Sequence, residues 1–261
     1  MADDLELLQA AKAGDRAALD ELLARHEQQI YRFGLRMCGN EHDARDILQE
    51  TLTAAFRSLG DYRGEGALST WLYQIARSFC IKERRRERHG ETLDDRIGVA
   101  DPEPAPDARA HAREIGAALA AAVSALPPDH REAVILRDVE GLSAEEAAQV
   151  TGIEVGALKS RLHRGRLELR GTLETLLGEQ AGDPGSTPCA ELAAELGAYA
   201  AADIDQAACA RIEEHLSRCP RCAGACDALQ RTVSLCQRIP GNEVPPSVRA
   251  AVRHALRGLD P

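Results

Sequence analysis

Apolar residues return along most of this chain at the three- and four-residue spacing of an α-helix. From Asp15-Arg16-Ala17-Ala18-Leu19 onward, Leu19, Leu22, Leu23, Ile30 and Phe33 form one stripe, which Gly39-Asn40 interrupts. Glu41 to Leu59 repeats the pattern, with Ala44, Ile47, Leu48, Leu52, Ala55 and Phe56 on one face. Gly60 to Gly66 reads as a loop, and Ser69-Thr70 stands where a cap would start a third helix from Trp71 to about Arg88. Residues 5–90 thus predict a first helical domain. Residues 91–112 are acidic and Pro-rich around Asp101-Pro102-Glu103-Pro104-Ala105-Pro106-Asp107 and predict a flexible linker. Residues 113–178 predict a second helical domain, 179–188 a second linker, and 189–261 a cysteine-rich third domain. The chain has no internal repeat.

Composition supports an all-α fold. Of 261 residues 44% are hydrophobic, enough for a packed core, but aromatics are only 3% and Ala and Leu dominate. That set suits helices better than a β-sandwich or barrel. No apolar run reaches the roughly 18 residues of a membrane span. Met1-Ala2-Asp3-Asp4 lacks the apolar core of a secretory signal. The expectation is a cytoplasmic protein with no membrane partner.

A net charge of −10 argues on its face against nucleic acid, but the charge is patterned. Ser143 and Glu146 have the spacing of a capping box ahead of Ala147, Ala148 and Val150. Gly152 permits a tight turn, Ile153 can plug the angle, and a second helix runs from about Val155. This is helix-turn-helix spacing. The second helix holds Lys159, Arg161, Arg164, Arg166 and Arg170 against Glu168, with Ser160 and His163 near its N-terminal half. A basic helix of this kind suits the DNA major groove; a helical hairpin with a solvated basic face is the plainer alternative. Gly165 inside it costs about 1 kcal/mol relative to Ala and has no explanation in the sequence. A second basic segment has Arg77, Lys82, Arg84, Arg85, Arg86 and Arg88 against Glu83 and Glu87, just after Trp71-Leu72-Tyr73. Aromatics beside cations can hold unstacked bases. Glu41 to Glu50 is the reverse, with Glu41, Asp43, Asp46 and Glu50 against Arg45. Such a face repels phosphates and is either solvated or docks on protein.

Asp46-Ile47-Leu48-Gln49-Glu50-Thr51-Leu52 and Ser69-Thr70-Trp71-Leu72-Tyr73-Gln74-Ile75-Ala76-Arg77 resemble region 2 of extracytoplasmic-function (ECF, group 4) sigma factors. Leu126-Pro127-Pro128-Asp129-His130-Arg131-Glu132-Ala133-Val134, Leu136-Arg137-Asp138-Val139-Glu140-Gly141-Leu142-Ser143 and Lys159-Ser160-Arg161-Leu162-His163-Arg164 resemble region 4. Order, linker and lengths match over about residues 5–177. The resemblance implies bacterial RNA polymerase core and promoter DNA as partners. It implies that Asp43, Asp46 and Glu50 dock on the clamp of the largest core subunit. It implies that the loop Gly64 to Ser69 and the helix from Trp71, with Arg77, Lys82, Arg84 and Arg85, melt and read the −10 element. The helix of Lys159, Ser160, Arg161, His163, Arg164 and Arg166 would read the −35 element. Glu154 departs from the Ser-type cap common in the family at that point.

Six of eight cysteines follow residue 188, a cluster that in an intracellular chain suggests metal or redox chemistry. His215, Cys219 and Cys222 form H-x3-C-x2-C, one helical turn apart. A tetrahedral ion needs a fourth ligand, for which Cys189 is chosen, and zinc suits a Cys3His set. This segment resembles zinc-binding anti-sigma domains. Val244-Pro245-Pro246 with Val248, Ala251, Val252, Ala255 and Leu256 could supply the amphipathic helix by which such domains grip a sigma factor. Cys209, Cys226 and Cys236 are surplus to one zinc site, and resemble the extra ligands of ECF factors that sense copper, cadmium or zinc through a Cys-rich C-terminal domain. Cys38 and Cys80 read as core thiols.

These features predict a sigma factor regulated in cis by metal. A thiol redox switch or a structural zinc module in the same place is the first alternative, and a helix-turn-helix repressor a more distant one. A separate anti-sigma factor is compatible with the sigma-factor readings. No nucleophile–base pair, phosphate-binding Gly loop or H-E-x-x-H motif points to an enzyme.

Overall fold

The computed structural model describes residues 3–62, 64, 66–88, 107–177, 189, 192, 195, 196, 199, 206–237 and 243–258, with the side chains of 87–88 and 107–114 excepted. Every regular element among them is helical. The helices are α1 (Asp4–Lys12), α2 (Arg16–Cys38), α3 (Glu41–Ser58), α4 (Leu68–Arg88), α5 (Asp107–Ala125), α6 (Pro128–Val134), α7 (Ala144–Thr151), α8 (Val155–Leu177), α9 (Gln206–Arg218), α10 (Pro220–Gln237) and α11 (Pro246–Arg257). A 3₁₀ turn covers Leu59–Asp61 and a π-helical turn Ile135–Val139. The chain divides into two compact units: residues 1–101 with 149–151 and 241–261, and residues 102–148 with 152–240.

In the first unit, local chemistry sets the helix ends. Asp3 and Glu6 form a capping box on α1, and the Asp15 carboxylate accepts from the amides of Ala17 and Ala18 at the start of α2. Gly39 ends α2 in the left-handed region at φ 82°, where its amide donates to the Leu35 carbonyl. Asn40 then caps α3 through the amide of Asp43. The stripes read from the sequence are buried: Leu22, Ile30, Phe33, Ala44, Leu48 and Leu52 are fully inside. Each buried Leu or Phe contributes about 1.5–3 kcal/mol relative to exposure. Gly34 lets α2 and α3 approach closely, since a Cβ there would lie 3.2 Å from Ala44 Cα. The third helix starts earlier than its sequence suggested. Leu68 is its first residue, so Ser69 and Thr70 sit inside the first turn rather than capping it, and Thr70 is buried.

The last helix belongs to this unit. It packs on α3, and its hydrogen bonds to α2 run in the reverse chain order. The Val244 amide donates to Gln28 Oε1 (3.1 Å), Arg249 Nε lies 3.2 Å from Glu27 Oε2, and Arg16 donates to the Leu256 carbonyl (2.7 Å). Arg16 thereby satisfies a carbonyl in the last turn of α11, where a cation is favoured. Val248, Val252 and Leu256 are buried. Ala251 is exposed and Ala255 half-buried, so the apolar seam is narrower than the sequence suggested.

In the second unit, Pro127-Pro128 opens α6, which packs on α8 beside α5. The Ser143–Glu146 capping box forms, Gly152 is left-handed at φ 69°, and α8 begins at Val155, all as the sequence indicated. Gly165 now has a reason. A Cβ there would meet Val134 Cγ2 at 2.9 Å and the His130 carbonyl at 3.1 Å, so the missing side chain is what lets α6 lie against α8. In the same unit α10 packs on α8 and on the π-helical turn.

Two boundaries differ from expectation. Residues 107–112, placed in the first linker, form the first turns of α5; residues 91–106 and the linker 179–188 lie outside the described residues. Residues 189–261, expected as one domain, are divided, with those up to 240 in the helix-turn-helix unit and those from 241 in the first.

Candidate functional site

Four groups of side chains were singled out from the sequence. The acidic one lies on α3. Asp46 and Glu50 are exposed and Asp43 is half-buried, its backbone amide and carboxylate both engaged with Asn40. His42 lies 3.5 Å from Asp46 and 3.7 Å from Asp43. Arg45 lies 3.6 Å from Asp46. The face therefore stays open and acidic.

The second group surrounds the start of α4. Trp71 is half-buried, and its ring centroid lies 5.0 Å from that of Tyr62. The Tyr62 hydroxyl donates to the Gly66 carbonyl (2.8 Å). Gly64 and Gly66 are left-handed at φ 76° and 91°. Residues 63 and 65 of this loop lie outside the described residues. Lys82 and Arg85 are exposed, while Arg77 and Arg84 are half-buried.

The third group lies along α8. Ser160 and Arg164 are exposed, and Lys159, Arg161 and His163 are half-buried. Arg161 is 3.3 Å from Asp129 on α6. Burial, helped by Arg166 and Arg164, holds the His163 imidazole below its ordinary pKa, so it is poised neutral. Arg166 corrects the sequence reading. Its side chain is 1% exposed and forks onto Asp138, itself 3% exposed, with Nε 2.8 Å and Nη2 2.5 Å from the two carboxylate oxygens. A guanidinium committed to a buried carboxylate on the π-helical turn is not available to a phosphate or a base. The signal was present: Leu158, Leu162, Leu169 and Leu173 are the buried stripe of α8, and Arg166 falls in it, four residues after Leu162.

The fourth group is the thiol cluster. Cys189, His215, Cys219 and Cys222 come together, with their ligand atoms all within 4.8 Å of one another. His215 is in the last turn of α9, and Cys219 sits at the α9–α10 junction, its amide donating to the His215 carbonyl (2.9 Å). Cys222 is in the first turn of α10, and its sulfur accepts from the Cys189 amide (3.3 Å). Arg221 donates to the Cys189 sulfur (3.3 Å). The Cys222 backbone amide, followed by the His215 ring and its thiol neighbours, brings the Cys219 thiol down to about 6, whereas burial pushes Cys222 up. His215 Nε2 is buried and lacks a hydrogen-bond partner. Three sulfurs and an unsatisfied imidazole nitrogen fit one tetrahedral thiophilic ion, whose ligands at about 2.3 Å would stand about 3.5–4 Å apart. Beneath the cluster, Leu192, Leu196, Ile212, Ala225, Cys226 and Leu229 form a small core.

Among the described residues no other such ligand group occurs. Cys226 and Cys236 are buried, and burial raises the Cys226 thiol. Cys209 Sγ lies 3.5 Å from Glu213 Oε1 instead. In the first unit Cys80 is buried, as expected, and Cys38 half-buried. No described helix is long and apolar enough to cross a membrane.

Comparison with known proteins gives two family matches, Sigma-70 region 2 over residues 22–90 and Sigma-70 region 4 over residues 116–169. The chain is 39% identical over 174 residues to the ECF RNA polymerase sigma factor SigE of Mycolicibacterium smegmatis, covering 64% of this chain and 67% of that one. It is 36% identical over 168 residues to the ECF RNA polymerase sigma factor SigM of Mycobacterium tuberculosis, covering 64% and 82%. To the RNA polymerase sigma factor CarQ of Myxococcus xanthus it is 37% identical over 172 residues, covering 64% and 92%. Residues 189–261, with the thiol cluster and α11, fall outside both family matches.

Proposed function

The chain belongs to the ECF RNA polymerase sigma factors, and from that premise we propose that its residues 189–261 regulate it in cis through a bound metal ion. As a sigma factor it is a non-enzymatic, DNA-binding initiation factor, and its partners are RNA polymerase and promoter DNA. Its place of work is with the polymerase, in the cytoplasm. Asp43, Asp46 and Glu50 dock on core. The segment from Gly64 to Ser69, with Trp71, Arg77, Lys82, Arg84 and Arg85, engages the −10 element. Lys159, Ser160, Arg161, His163 and Arg164 engage the −35 element, without Arg166.

One observation carries the regulatory reading. The segment outside the two family matches seats a helix in each unit, α10 on α8 and α11 on α2 and α3. In the reading proposed, the ion is held by Cys189, His215, Cys219 and Cys222, and zinc suits that donor set best. Holding Cys222 and Cys219 fixes the N-terminal end of α10, the helix that lies on α8. The ion must favour one conformation of the chain, and each tenfold shift takes about 1.4 kcal/mol of differential affinity. Cys209, Cys226 and Cys236 remain candidates for further sensing ligands only if the segment rearranges, because their sulfurs are not among the converging ligand atoms. Solvent-facing thiols also favour the runner-up, a redox switch: Cys189 and Cys219 are both only half-buried.

The test is binding of the full-length protein to bacterial RNA polymerase core, with zinc-loaded and chelator-treated samples side by side. Metal-dependent affinity supports the reading. Equal affinity makes the ion structural and moves redox control ahead. Binding in neither state, with binding restored by a separate anti-sigma antagonist's removal from the preparation, would shift regulation to a partner chain.

A further inference from the structure

We infer that Tyr62 is a positioning residue, tying the Gly66 backbone and the Trp71 indole into one preorganised platform for unpaired promoter DNA. The inference rests on the −10 assignment proposed above. Tyr62 is 7% exposed, although Asp61, Gly64, Gly66 and Ala67 around it are exposed. It is held through three different groups. Its hydroxyl donates to the Gly66 carbonyl at 2.8 Å. Its ring packs on Trp71 at 5.0 Å between centroids, tilted 33°. Its own carbonyl accepts from the Lys12 ammonium, which also stands 5.7 Å from the ring centroid. Lys12 comes from the last turn of α1, so a helix outside the promoter-reading segments braces the loop.

The physics favours a rigid platform. Gly64 and Gly66 are both left-handed, a conformation that glycine reaches without steric cost but does not by itself hold. A base gains from stacking on an aromatic face only if ordering that face does not consume the gain. Tyr62 supplies the order beforehand: the hydroxyl fixes the loop's carbonyl and the ring fixes the indole. Its function is therefore exerted through Gly66 and Trp71, without a contact of its own to DNA.

The protein carries one site for a reporter, because Trp71 is its single tryptophan; supplied as 5-hydroxytryptophan, it is excited selectively over the ordinary tryptophans of core. The experiment uses holoenzyme made from the full chain, and a single-stranded DNA probe enriched by the parental holoenzyme from a randomised pool. Tyr62→Phe keeps the ring and removes the hydroxyl; Tyr62→Leu removes both. Loss of one neutral hydrogen bond predicts about three- to tenfold weaker strand binding for Tyr62→Phe. Tyr62→Leu should weaken it further and shift Trp71 emission to longer wavelength. Core affinity should be unchanged in both. The inference is overturned if Tyr62→Phe binds the strand as the parent does while the strand still quenches Trp71. It is equally overturned if core affinity falls in parallel, since that marks general damage to the unit. If the strand leaves parental Trp71 emission unchanged and binds Trp71→Ala equally well, the −10 assignment itself fails, and the inference with it.

Discussion

Val252 is the point at which the contact of α11 with α2 and α3 is most sensitive. Its side chain is fully buried among groups of the first unit, flanked by Val248 at 8% and Leu256 at 5%. Val252→Ala removes two methyl groups. At about 0.8 kcal/mol each plus the cavity left behind, the loss is about 2 kcal/mol. The ion pair beside it matters less. Arg249 is 42% exposed, which limits that pair to about 1 kcal/mol, and Arg253 still acts on the Glu27 carboxylate if Arg249 is removed. Packing therefore dominates charge at this contact. If α11 must leave its seat for polymerase to bind, 2 kcal/mol shifts that equilibrium about 30-fold. Val252→Ala should then bind core about 30-fold more tightly than the parent, while Arg249→Ala gains no more than about fivefold. The assay is equilibrium binding of each full-length variant to core, with thermal unfolding run alongside. A lowered midpoint for Val252→Ala with parental core affinity would show that the contact stabilises the unit without obstructing polymerase, and would refute the reasoning.

Three further outcomes follow from the geometry. Gly165→Ala should lower stability by about 1–3 kcal/mol in urea unfolding, because the His130 backbone at 3.1 Å cannot yield; a gain near the propensity difference would contradict the close α6–α8 packing. Arg166→Ala should cost about 3–5 kcal/mol of stability by stranding buried Asp138, whereas Arg164→Ala should leave stability intact and reduce the salt dependence of −35 fragment binding by about one counterion. The reverse pattern would restore Arg166 to the DNA face. Burial holds the His26 imidazole below its ordinary 6.5, against the opposing pull of Asp4. The unfolded chain therefore takes up a proton that the folded chain resists, and His26 makes stability fall as pH drops below 6.5, down to its folded pKa. In His26→Gln the loss of unfolding free energy between about pH 7 and pH 5 should shrink; an unchanged slope would assign the titration elsewhere.

The helices and their inner faces were legible because periodicity and caps are local. Leu22, Ile30, Leu48 and Leu52 are buried where the stripe put them, and Ser143, Glu146 and Gly152 do in space what their spacing suggested. The four residues of the thiol cluster were legible for a similar reason, since three lie within eight residues. Charge was a poorer guide. Five cations on α8 looked alike in a count, and only the register of the leucines separates buried Arg166 from exposed Arg164. The start of α4 was misjudged because Ser and Thr favour caps on average, whereas here Thr70 packs inward. Contacts between distant parts of the chain left no sequence signal. Nothing in the amphipathic pattern of Val248, Val252 and Leu256 names Glu27, Gln28 and Arg16 as their seat, and nothing in Tyr62 names Lys12.

The seat of α11 is reached from α10 through a short connection, residues 238–245, so helix and groove belong to one molecule. A twelve-residue helix is marginal by itself, and offered as a free peptide it would bind weakly. Joined covalently, it faces its groove at an effective concentration of order millimolar. On the proposed reading, regulatory segment and factor are then produced in fixed one-to-one ratio. Over-expression cannot outrun the restraint and dilution cannot relieve it: the active fraction is independent of the dose of the gene, while the amount of active factor still scales with it.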